Sequence, residues 1–231
     1  MDHATKEKIN RAYTWNEKLQ QDLEQGNITE AEWFKRNKDY FTSHYLSSDN
    51  PRGQSGHSGD EERYYYSHST LLSVIDRSGT LLDVGCANGY LMESMDRWFR
   101  GTGYDVAFYG LDISEGMLDL AKQRLPQWSD RFFLGNGLDY RPEVKYDMVM
   151  TKELSYVPPH RQKEFFENMY HHMLKDGGRL ILGPQAEERG SHAIEEQILS
   201  FGYTPSGYVE KANSSGDMQV VKRIYWFDKN G

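Results

Sequence analysis

The chain of 231 residues contains a single cysteine, so it cannot form an internal disulfide. A protein without disulfides is typical of a reducing compartment, and we therefore expect a cytoplasmic location. No apolar run approaches the roughly 20 residues that a membrane-spanning helix needs. The charged N-terminal sequence MDHATKEKINRAY also lacks the apolar segment of a secretory signal. These absences argue against a membrane protein.

Positive charge is also scarce: 27 Lys and Arg against 35 Asp and Glu give a formal net charge of −8. Such a charge repels a phosphate backbone and disfavours nucleic acid as the main partner, although a local basic patch can coexist with it. The histidines and the one cysteine do not occur at zinc-binding spacings, so we expect no metal site. The length suits one large domain, or one domain with an appendage.

Helical patterns fill the N-terminal part of the chain. Residues 4–25 place apolar side chains at helical spacing, and the sequence QGN predicts the end of this helix. Thr29 followed by Glu32 is a capping-box pattern, which predicts the start of a second helix. Asp60 is expected to cap a third helix after a glycine-rich loop at 47–59. The apolar side chains of the third helix would be Tyr64, Leu71, Leu72 and Ile75.

From Thr80 onward, strand-like and helix-like patterns alternate. Short apolar segments predict five strands: TLLDVG, VAFYGLDIS, RFFLGN, YDMVMT and GGRLILG. The amphipathic segments GYLMESMDRWF, EGMLDLAKQRL and PHRQKEFFENMYHHML predict helices, which indicates a parallel sheet covered on both faces. The tail differs: after a helix near 191–201, YTPSGYVEKA and MQVVKRIYWFD flank the turn sequence NSSGD. This pattern predicts a hairpin, with an antiparallel strand ending the sheet.

Two strand ends carry acidic residues and glycines. In open parallel sheets, ligands bind outside the carboxyl ends of the strands. The first end reads LLDVGCANGY, in which Asp83, Gly85 and Gly89 lie on a turn where glycine lets the backbone approach a ligand closely. The second reads GLDIS, and Asp112 there can accept hydrogen bonds from both hydroxyls of a ribose.

Two further strand ends complete the pattern. In GNGLDY, Asn136 and the backbone of Gly137 and Leu138 can read the edge of an adenine ring. The loop TKELSYVPP follows the fourth strand and is the natural place for a reacting group. The glycine spacing is D-x-G-x-x-x-G rather than the dinucleotide fingerprint G-x-G-x-x-G, which speaks against NAD.

These four segments, in this order and spacing, resemble the class I S-adenosylmethionine-dependent methyltransferases over roughly residues 75–185. DVGCANG is similar to the family's glycine-rich first motif, with Ala87 in place of the middle glycine; this exchange requires only that φ of Ala87 remain negative. The resemblance implies an α/β fold, a Rossmann-like, doubly wound, mostly parallel seven-stranded sheet with an antiparallel last strand. It also implies an N-terminal helical cap with its loop over residues 1–59 and a cofactor-binding domain over residues 60–231.

The resemblance also assigns cofactor contacts by position. Asp83 and the turn Gly85–Gly89 would hold the methionine part of S-adenosylmethionine, Asp112 the ribose, and Asn136 with Leu138 the adenine. Family members often have aspartate where Asn136 stands, but an amide oxygen can still accept a hydrogen bond from the adenine amino group. The full set of expected cofactor contacts is Arg63, Asp83, Gly85, Cys86, Ala87, Gly89, Asp112, Ile113, Asn136, Gly137, Leu138 and Lys152.

N-terminal additions in this family commonly cover the site and select the acceptor. We therefore expect the helices of residues 4–46 to form a lid and residues 47–59 to be its hinge and part of the pocket wall. A general base is needed only if the acceptor must lose a proton. The expected catalytic residues are His57, Glu153 and Tyr156.

The implied function is methyl transfer to a small molecule, at an oxygen, nitrogen or carbon atom that the sequence leaves open, with S-adenosylhomocysteine as product. The motif [N/D/S]-P-P-[Y/F/W], typical of enzymes that methylate amide or base nitrogens, is absent after the fourth strand. Three alternatives remain: an RNA base methyltransferase, a non-catalytic binder of the cofactor or its product, and, more remotely, an NAD-binding oxidoreductase. The first would need a basic surface, for which the candidates are Arg97, Arg100, Lys122 and Arg124. We expect a monomer or a homodimer.

Overall fold

The computed structural model describes residues 3–213 and 218–231, with side chains from residue 14 onward. Helix α1 (His3–Glu24) and helix α2 (Glu30–Leu46) form a hairpin around the buried Leu19, Ile28 and Trp33. The predicted capping box is confirmed. The Thr29 hydroxyl accepts a hydrogen bond from the Glu32 N–H at 3.2 Å, and the Glu32 carboxylate accepts one from the Thr29 N–H at 2.8 Å.

The third predicted helix is two helices. Helix α3 (Glu61–His68) starts as predicted, with the Asp60 carboxylate accepting a hydrogen bond from the Arg63 N–H at 2.9 Å. The prediction that this helix continues to Ile75 is wrong. At Leu72 and the residue after it, the backbone N–H groups bond to carbonyls only three residues back, so the α-helical ladder is broken. A short helix, α4 (Leu71–Val74), follows and turns its apolar side chains into the core.

Seven strands form one sheet in the order β3-β2-β1-β4-β5-β7-β6. Their bounds are β1 Gly79–Val84, β2 Val106–Asp112, β3 Phe132–Leu134, β4 Tyr146–Thr151, β5 Leu174–Glu188, β6 Gly207–Ala212 and β7 Val220–Asp228. The mostly parallel sheet and the antiparallel last strand are confirmed. The last strand does not form the edge, however: β7 lies between β5 and β6 and is antiparallel to both. Of the predicted hairpin turn, residues 214–217 lie outside the described residues.

Four helices connect or flank the strands: α5 (Tyr90–Phe99), α6 (Glu115–Arg124), α7 (Gln162–Asn168) and α8 (Ala193–Phe201). Helix α7 is shorter than the predicted segment. A 3-10 turn, Pro159–Arg161, precedes it, and a π-helical turn, Met169–Met173, follows it. The long strand β5 then begins at once, because the chain already pairs with β4 through Tyr146 and Leu174.

The core lies on both faces of the sheet, because successive side chains of a strand point to opposite sides. Leu81 and Met148 pack into a cluster with side chains of α5 and α6, whereas Leu82 and Val149 pack into a second cluster with side chains of α7. With both faces covered, a ligand can approach the sheet at the ends of its strands. Within the described residues, no helix is long and apolar enough to cross a membrane.

Candidate active site at the strand ends

The turn between β1 and α5 has three residues with positive φ. They are Gly85 (90°), Ala87 (47°) and Gly89 (72°), so the expectation of a negative φ at Ala87 is wrong. The left-handed region costs an ordinary L-residue about 1–2 kcal/mol. A hydrogen bond offsets this cost: the Ala87 N–H donates to the carboxylate of Asp112 at 2.8 Å.

The glycines of this turn have no room for a side chain. A Cβ atom on Gly85 would lie 2.5 Å from the ring of Tyr156, and one on Gly89 would lie 2.9 Å from the ring of Phe132. Cys86 is buried beside Gly110, and a Cβ atom on Gly110 would lie 2.6 Å from the Cys86 sulfur atom. Burial raises the pKa of the Cys86 thiol well above its ordinary value. Cys86 therefore stays a thiol and packs the turn against β2.

Two carboxyl groups stand at the ends of β1 and β2: Asp83, which is buried, and Asp112, which is half-buried. Burial raises the pKa of Asp83 to about 7, and the negative charge of Asp112 acts in the same direction. The pKa of Asp112 is also raised by burial, but hydrogen bonds from the backbone N–H groups of Ser114 and Ala87, both at 2.8 Å, oppose the shift. Both groups are desolvated before any ligand arrives, so they favour a ligand that donates hydrogen bonds.

The loop after the third strand, β3, is held by a hydrogen bond within the loop. The side-chain oxygen of Asn136 accepts a hydrogen bond from the Leu138 N–H at 3.0 Å, so in this structure it holds its own loop. A Cβ atom on Gly137 would lie 2.3 Å from the ring of Phe165, and Leu138 is buried. Ile113, next to Asp112, is partly exposed. The buried Leu138 and the Phe165 ring beside Gly137 make this strand end largely apolar.

The segment after the fourth strand, β4, carries one positive and one negative side chain. The Lys152 ammonium lies 3.9 Å from the carboxylate of Glu153, which also accepts a hydrogen bond from the Ser155 hydroxyl at 2.7 Å. Burial raises the pKa of Tyr156 well above its ordinary value, and the charge of Glu153 adds to this effect. The Tyr156 hydroxyl therefore keeps its proton at neutral pH, while its ring covers Gly85.

The glycine-rich loop is joined to the turn after β1. Its centre is a 3-10 turn, Gly53–Ser55. The Gln54 side chain donates to the Ser48 carbonyl at 3.0 Å, so it supports the loop itself. The side-chain amide of Asn88 donates to the carbonyl of Pro51 at 2.8 Å. The loop thus lies against the turn.

Two histidines and a tyrosine pack together beneath this loop. The His57 ring contacts Tyr64, with ring centroids 5.0 Å apart, and His68, with centroids 5.4 Å apart. Burial lowers the pKa of both histidines to about 3, so both are neutral at pH 7. His68 Nδ1 lies 2.9 Å from the Tyr64 carbonyl. Nε2 of His57 is buried and has no hydrogen-bond partner among the described residues.

Helix α2 docks at two strand ends. The hydroxyl oxygens of Thr42 and Ser114 are 2.7 Å apart at the start of α6. At the other end of α2, the Glu30 carboxylate pairs with Arg161 and lies 3.0 Å from Nε2 of His160. The helix therefore bridges the segments that follow β2 and β4.

Tyr45, Asn88 and Lys222 also lie at the strand ends, although the sequence pattern did not single them out. A Cβ atom on Gly56 would lie 2.5 Å from the Tyr45 hydroxyl. The pKa of Tyr45 is raised by burial and then by the charges of Glu153 and Asp112. Asn88 belongs to the recognised turn and could have been found there. No local signal marks Tyr45 or Lys222, because each is brought to the site by long-range packing.

The residues at the strand ends fit an adenosyl cofactor with a methionine tail. Two desolvated carboxyls, a turn whose glycines have no room for a side chain, and a His57 Nε2 that is unpaired among the described residues supply acceptors and close backbone contact. Among the residues that the structure describes, no group of three or more His, Cys, Asp or Glu side chains is placed to hold a metal ion.

Residues 81–178 match the model of the methyltransferase domain family. A relative from Bacillus subtilis (strain 168), named uncharacterized methyltransferase YdaC, is 31% identical over 129 residues, which are 55% of this chain and 67% of that protein.

Solved structures show the same fold. Magnesium protoporphyrin IX methyltransferase from Synechocystis PCC 6803, with bound S-adenosylmethionine, superposes with a TM-score of 0.58 at 19% identity, over 85% of this chain and 97% of that one. The 1,6-didemethyltoxoflavin-N1-methyltransferase of Burkholderia thailandensis superposes with a TM-score of 0.62 at 14% identity, over 88% of this chain and 92% of that one. Fold, strand-end residues and sequence relatives agree: the chain belongs to the class I S-adenosylmethionine-dependent methyltransferases.

Proposed function

We propose that this enzyme methylates a small molecule in a cleft between the strand ends, the glycine-rich loop and α2. The observation that carries the proposal is the desolvated pair Asp83 and Asp112, which lies beside a turn that bonds to Asp112 through the Ala87 N–H and whose glycines have no room for a side chain. In the cleft, Asp112 would accept hydrogen bonds from the ribose hydroxyls. Asp83 and the turn would face the methionine part, and Leu138 would face the adenine.

S-adenosylmethionine supplies an activated methyl group on a sulfonium. The protein therefore has to bind the cofactor and the acceptor, orient them, and exclude water. Helix α2 and the loop at 47–59 are suited to the last task, since Thr42, Glu30 and the Pro51 carbonyl attach them to the strand ends. We therefore propose that residues 1–59 are the cap and residues 60–231 the cofactor-binding domain.

His57 is the group that we propose to orient the proton of an acceptor that must lose one. Its imidazole is neutral, and its buried Nε2 has no partner among the described residues, so this nitrogen is free to accept a hydrogen bond from the acceptor. Because its pKa is lowered to about 3, the imidazole is a weak base that would hold this proton rather than remove it. The acceptor atom would gain the methyl group and lose its proton to solvent, while the electron pair of the broken carbon–sulfur bond stays on sulfur. Glu153 is partly exposed and bonded to Ser155, and Tyr156 keeps its proton, so both fit positioning better.

A small acceptor is favoured over RNA by the surface charges. Three of the four basic residues that could form an RNA-binding patch are paired with carboxylates. Arg97 lies 3.4 Å from Glu61, Arg100 lies 2.8 Å from Asp96, and Arg124 lies 2.5 Å from Glu93. The two solved relatives described above are also named for small acceptors. A cytoplasmic location remains our proposal, supported by the one buried, free cysteine.

Calorimetric titration of S-adenosylmethionine, S-adenosylhomocysteine and NAD tests the cofactor assignment. We expect binding of the two sulfur compounds and none of NAD. Asp112→Ala and Asp112→Asn should weaken S-adenosylhomocysteine binding roughly tenfold to a hundredfold, since a charge-assisted hydrogen bond contributes about 1.5–3 kcal/mol. The matched control is Asp105→Ala, an exposed residue just before β2, at its opposite end.

Binding of NAD alone, or equal affinity in the Asp112 variants, would overturn the assignment. A separate assay measures release of S-adenosylhomocysteine with panels of small phenols, amines and acids. Turnover in this assay distinguishes an enzyme from a non-catalytic binder.

A further inference from the structure

Helix α2 turns one face toward the cofactor-binding domain, and two contacts mark the borders of this face. The Glu30 carboxylate pairs with Arg161 in the segment after β4, and the hydroxyl oxygens of Thr42 and Ser114 are 2.7 Å apart after β2. At 3.6 residues per turn, the arc between these two contacts contains three aromatic side chains. They are Phe34, Phe41 and Tyr45.

The aromatic rings of this face stay partly open although the helix is docked at both borders. On the neighbouring face, which meets α1, Trp33 is only 1% exposed. The ring partners of Phe41 within the described part of the chain, Tyr40 and Tyr45, belong to α2 itself, with centroids 5.3 Å and 5.9 Å away. Rings that face the domain without being covered by it border a cleft.

A further ring faces this cleft from the strand ends. In the sheet order β1 lies between β2 and β4, so α2, which is attached after β4 and after β2, crosses the end of β1. There the Tyr156 ring covers Gly85, and it packs against the same core cluster as the Phe34 ring. The Tyr45 ring is held by the glycine-rich loop, since a Cβ atom on Gly56 would lie 2.6 Å from its Cζ atom. Rings from the cap and from the segment after β4 therefore border the cleft on two sides.

We propose that the methyl acceptor is a flat aromatic molecule that stacks on the rings of Phe41, Tyr45 and Tyr156. The proposal rests on the proposed function and adds the substrate class. Aromatic rings prefer aromatic partners at centroid distances of about 4.5–7 Å, and each such pair contributes more than its buried area alone. Stacking leaves the edge of the acceptor ring, where a hydroxyl or amine would stand, free to reach the methyl group. Phe41 and Tyr45 are thereby specificity-determining residues.

The adenine of the cofactor is the competing flat ring. Its proposed contact, Leu138, follows β3 at the edge of the sheet. Tyr156 follows β4, which is three strands away from β3, and three strand spacings correspond to about 14 Å. The Tyr156 ring also lies over Gly85, in the turn proposed to face the methionine part. A flat molecule beside Tyr156 is therefore the acceptor rather than the adenine.

Calorimetric titration of 2-naphthol and of its saturated counterpart, 2-decalol, tests the proposal. The two alcohols share a carbon skeleton, but only 2-naphthol is flat and aromatic. With S-adenosylhomocysteine saturating, we expect wild type to bind 2-naphthol about tenfold more tightly than 2-decalol. Phe41→Leu and Tyr45→Leu should each weaken 2-naphthol binding about threefold to tenfold, the loss of one ring pair, with little effect on 2-decalol.

Two control variants should keep the preference for 2-naphthol. Tyr45→Phe retains the ring and loses only the hydroxyl. Tyr104→Leu removes a ring that is 41% exposed and precedes β2, at the end of the sheet opposite to the cleft. Unfolding curves verify that each variant is folded. If Tyr45→Leu does not fold, the comparison of Phe41→Leu with wild type decides.

Equal binding of the two alcohols by wild type, or no binding of 2-naphthol, would overturn the proposal. An unchanged preference in the leucine variants would also overturn it. So would a matching loss of S-adenosylhomocysteine affinity in these variants, because the rings would then serve the adenine; we expect a change of less than about twofold. Failure of wild type to bind S-adenosylhomocysteine would contradict the proposed function instead, and the titration without it still reports on the rings.

Discussion

The side-chain amide of Asn88 spans two segments: it donates to the Pro51 carbonyl at 2.8 Å and accepts from the Tyr90 N–H at 3.1 Å. Asn88 is fully buried. One side chain thus ties the glycine-rich loop to the cofactor turn and caps the first turn of α5. The loop, with its many glycines and serines, is therefore attached to this turn rather than being a free linker.

Replacing Asn88 by alanine should destabilise the fold and weaken cofactor binding together. The Pro51 carbonyl and the Tyr90 N–H would lose their partner, at a cost of up to about 1–3 kcal/mol for the buried Tyr90 N–H and less for the carbonyl of the exposed Pro51. Denaturant unfolding and calorimetry with S-adenosylhomocysteine measure the two effects, with the exposed Asn27→Ala as control. If Asn88→Ala were as stable as the control, the contact with Pro51 would have no structural importance.

Glycine at position 87 should stabilise the protein. The positive φ of Ala87 costs about 1–2 kcal/mol, which the greater freedom of unfolded glycine offsets by about 0.5–1 kcal/mol. We expect Ala87→Gly to raise the free energy of unfolding by up to about 1.5 kcal/mol. Ala121→Gly, within α6, should lower it. A loss of stability in both variants would mean that the turn tolerates alanine without strain.

Asp83 should make the ligand-free protein less stable as the pH rises. Its folded pKa of about 7 exceeds the unfolded value of about 3.9, so between these values the folded state retains a proton that the unfolded state has lost. The penalty is absent below about pH 4, grows by roughly 1.4 kcal/mol per pH unit, and is complete above about pH 7.

The stability gained by Asp83→Asn should therefore increase from pH 5 to pH 7 and then level off. Unfolding by denaturant at pH 5, 6, 7 and 8 measures this difference. The exposed Asp130→Asn serves as control. A gain independent of pH would show that Asp83 is ionised throughout this range.

Removing the guanidinium of Arg223 should destabilise the β5–β7–β6 part of the sheet. Arg223 is 2% exposed and pairs with Glu187 at 3.2 Å and Glu210 at 2.8 Å. Because Arg223→Met would leave the buried Glu187 uncompensated, we expect a loss of about 3–5 kcal/mol in denaturant unfolding. Lys35→Met removes an exposed pair and should cost less than about 1 kcal/mol. Equal losses would contradict this account.

Features determined by neighbouring residues could be read from the sequence. The helix starts at Thr29, Asp60 and Ser114 were predicted correctly, because a capping side chain bonds to a backbone N–H three residues later. The strand ends were predicted for a similar reason: a buried strand needs an apolar run, and the run ends where Asp83 or Asp112 stands. The negative charge of Asp112 raises the pKa of Asp83, so the two carboxyls are close enough to interact.

Features set by distant partners could not be read in this way. The positive φ of Ala87 depends on Asp112, which lies 25 residues away in the chain. The place of Lys222 depends on β7 entering between β5 and β6, whereas the hairpin pattern predicts pairing without saying which neighbour comes next. Tyr45 reaches the site only because α2 docks on the segments after β2 and β4.

The segment shared with the methyltransferase family ends at residue 178, whereas His57, Arg63 and Lys222 lie outside it. Two of these three precede the shared segment and one follows it. If the proposed cap over residues 1–59 selects the acceptor, substitutions in it would change the acceptor and leave the cofactor turn intact, so that acceptor choice and cofactor use would evolve separately. Two proteins with the same residues between 81 and 178 could then differ in their products, and relatives of like chemistry should be sought by comparing the outer segments.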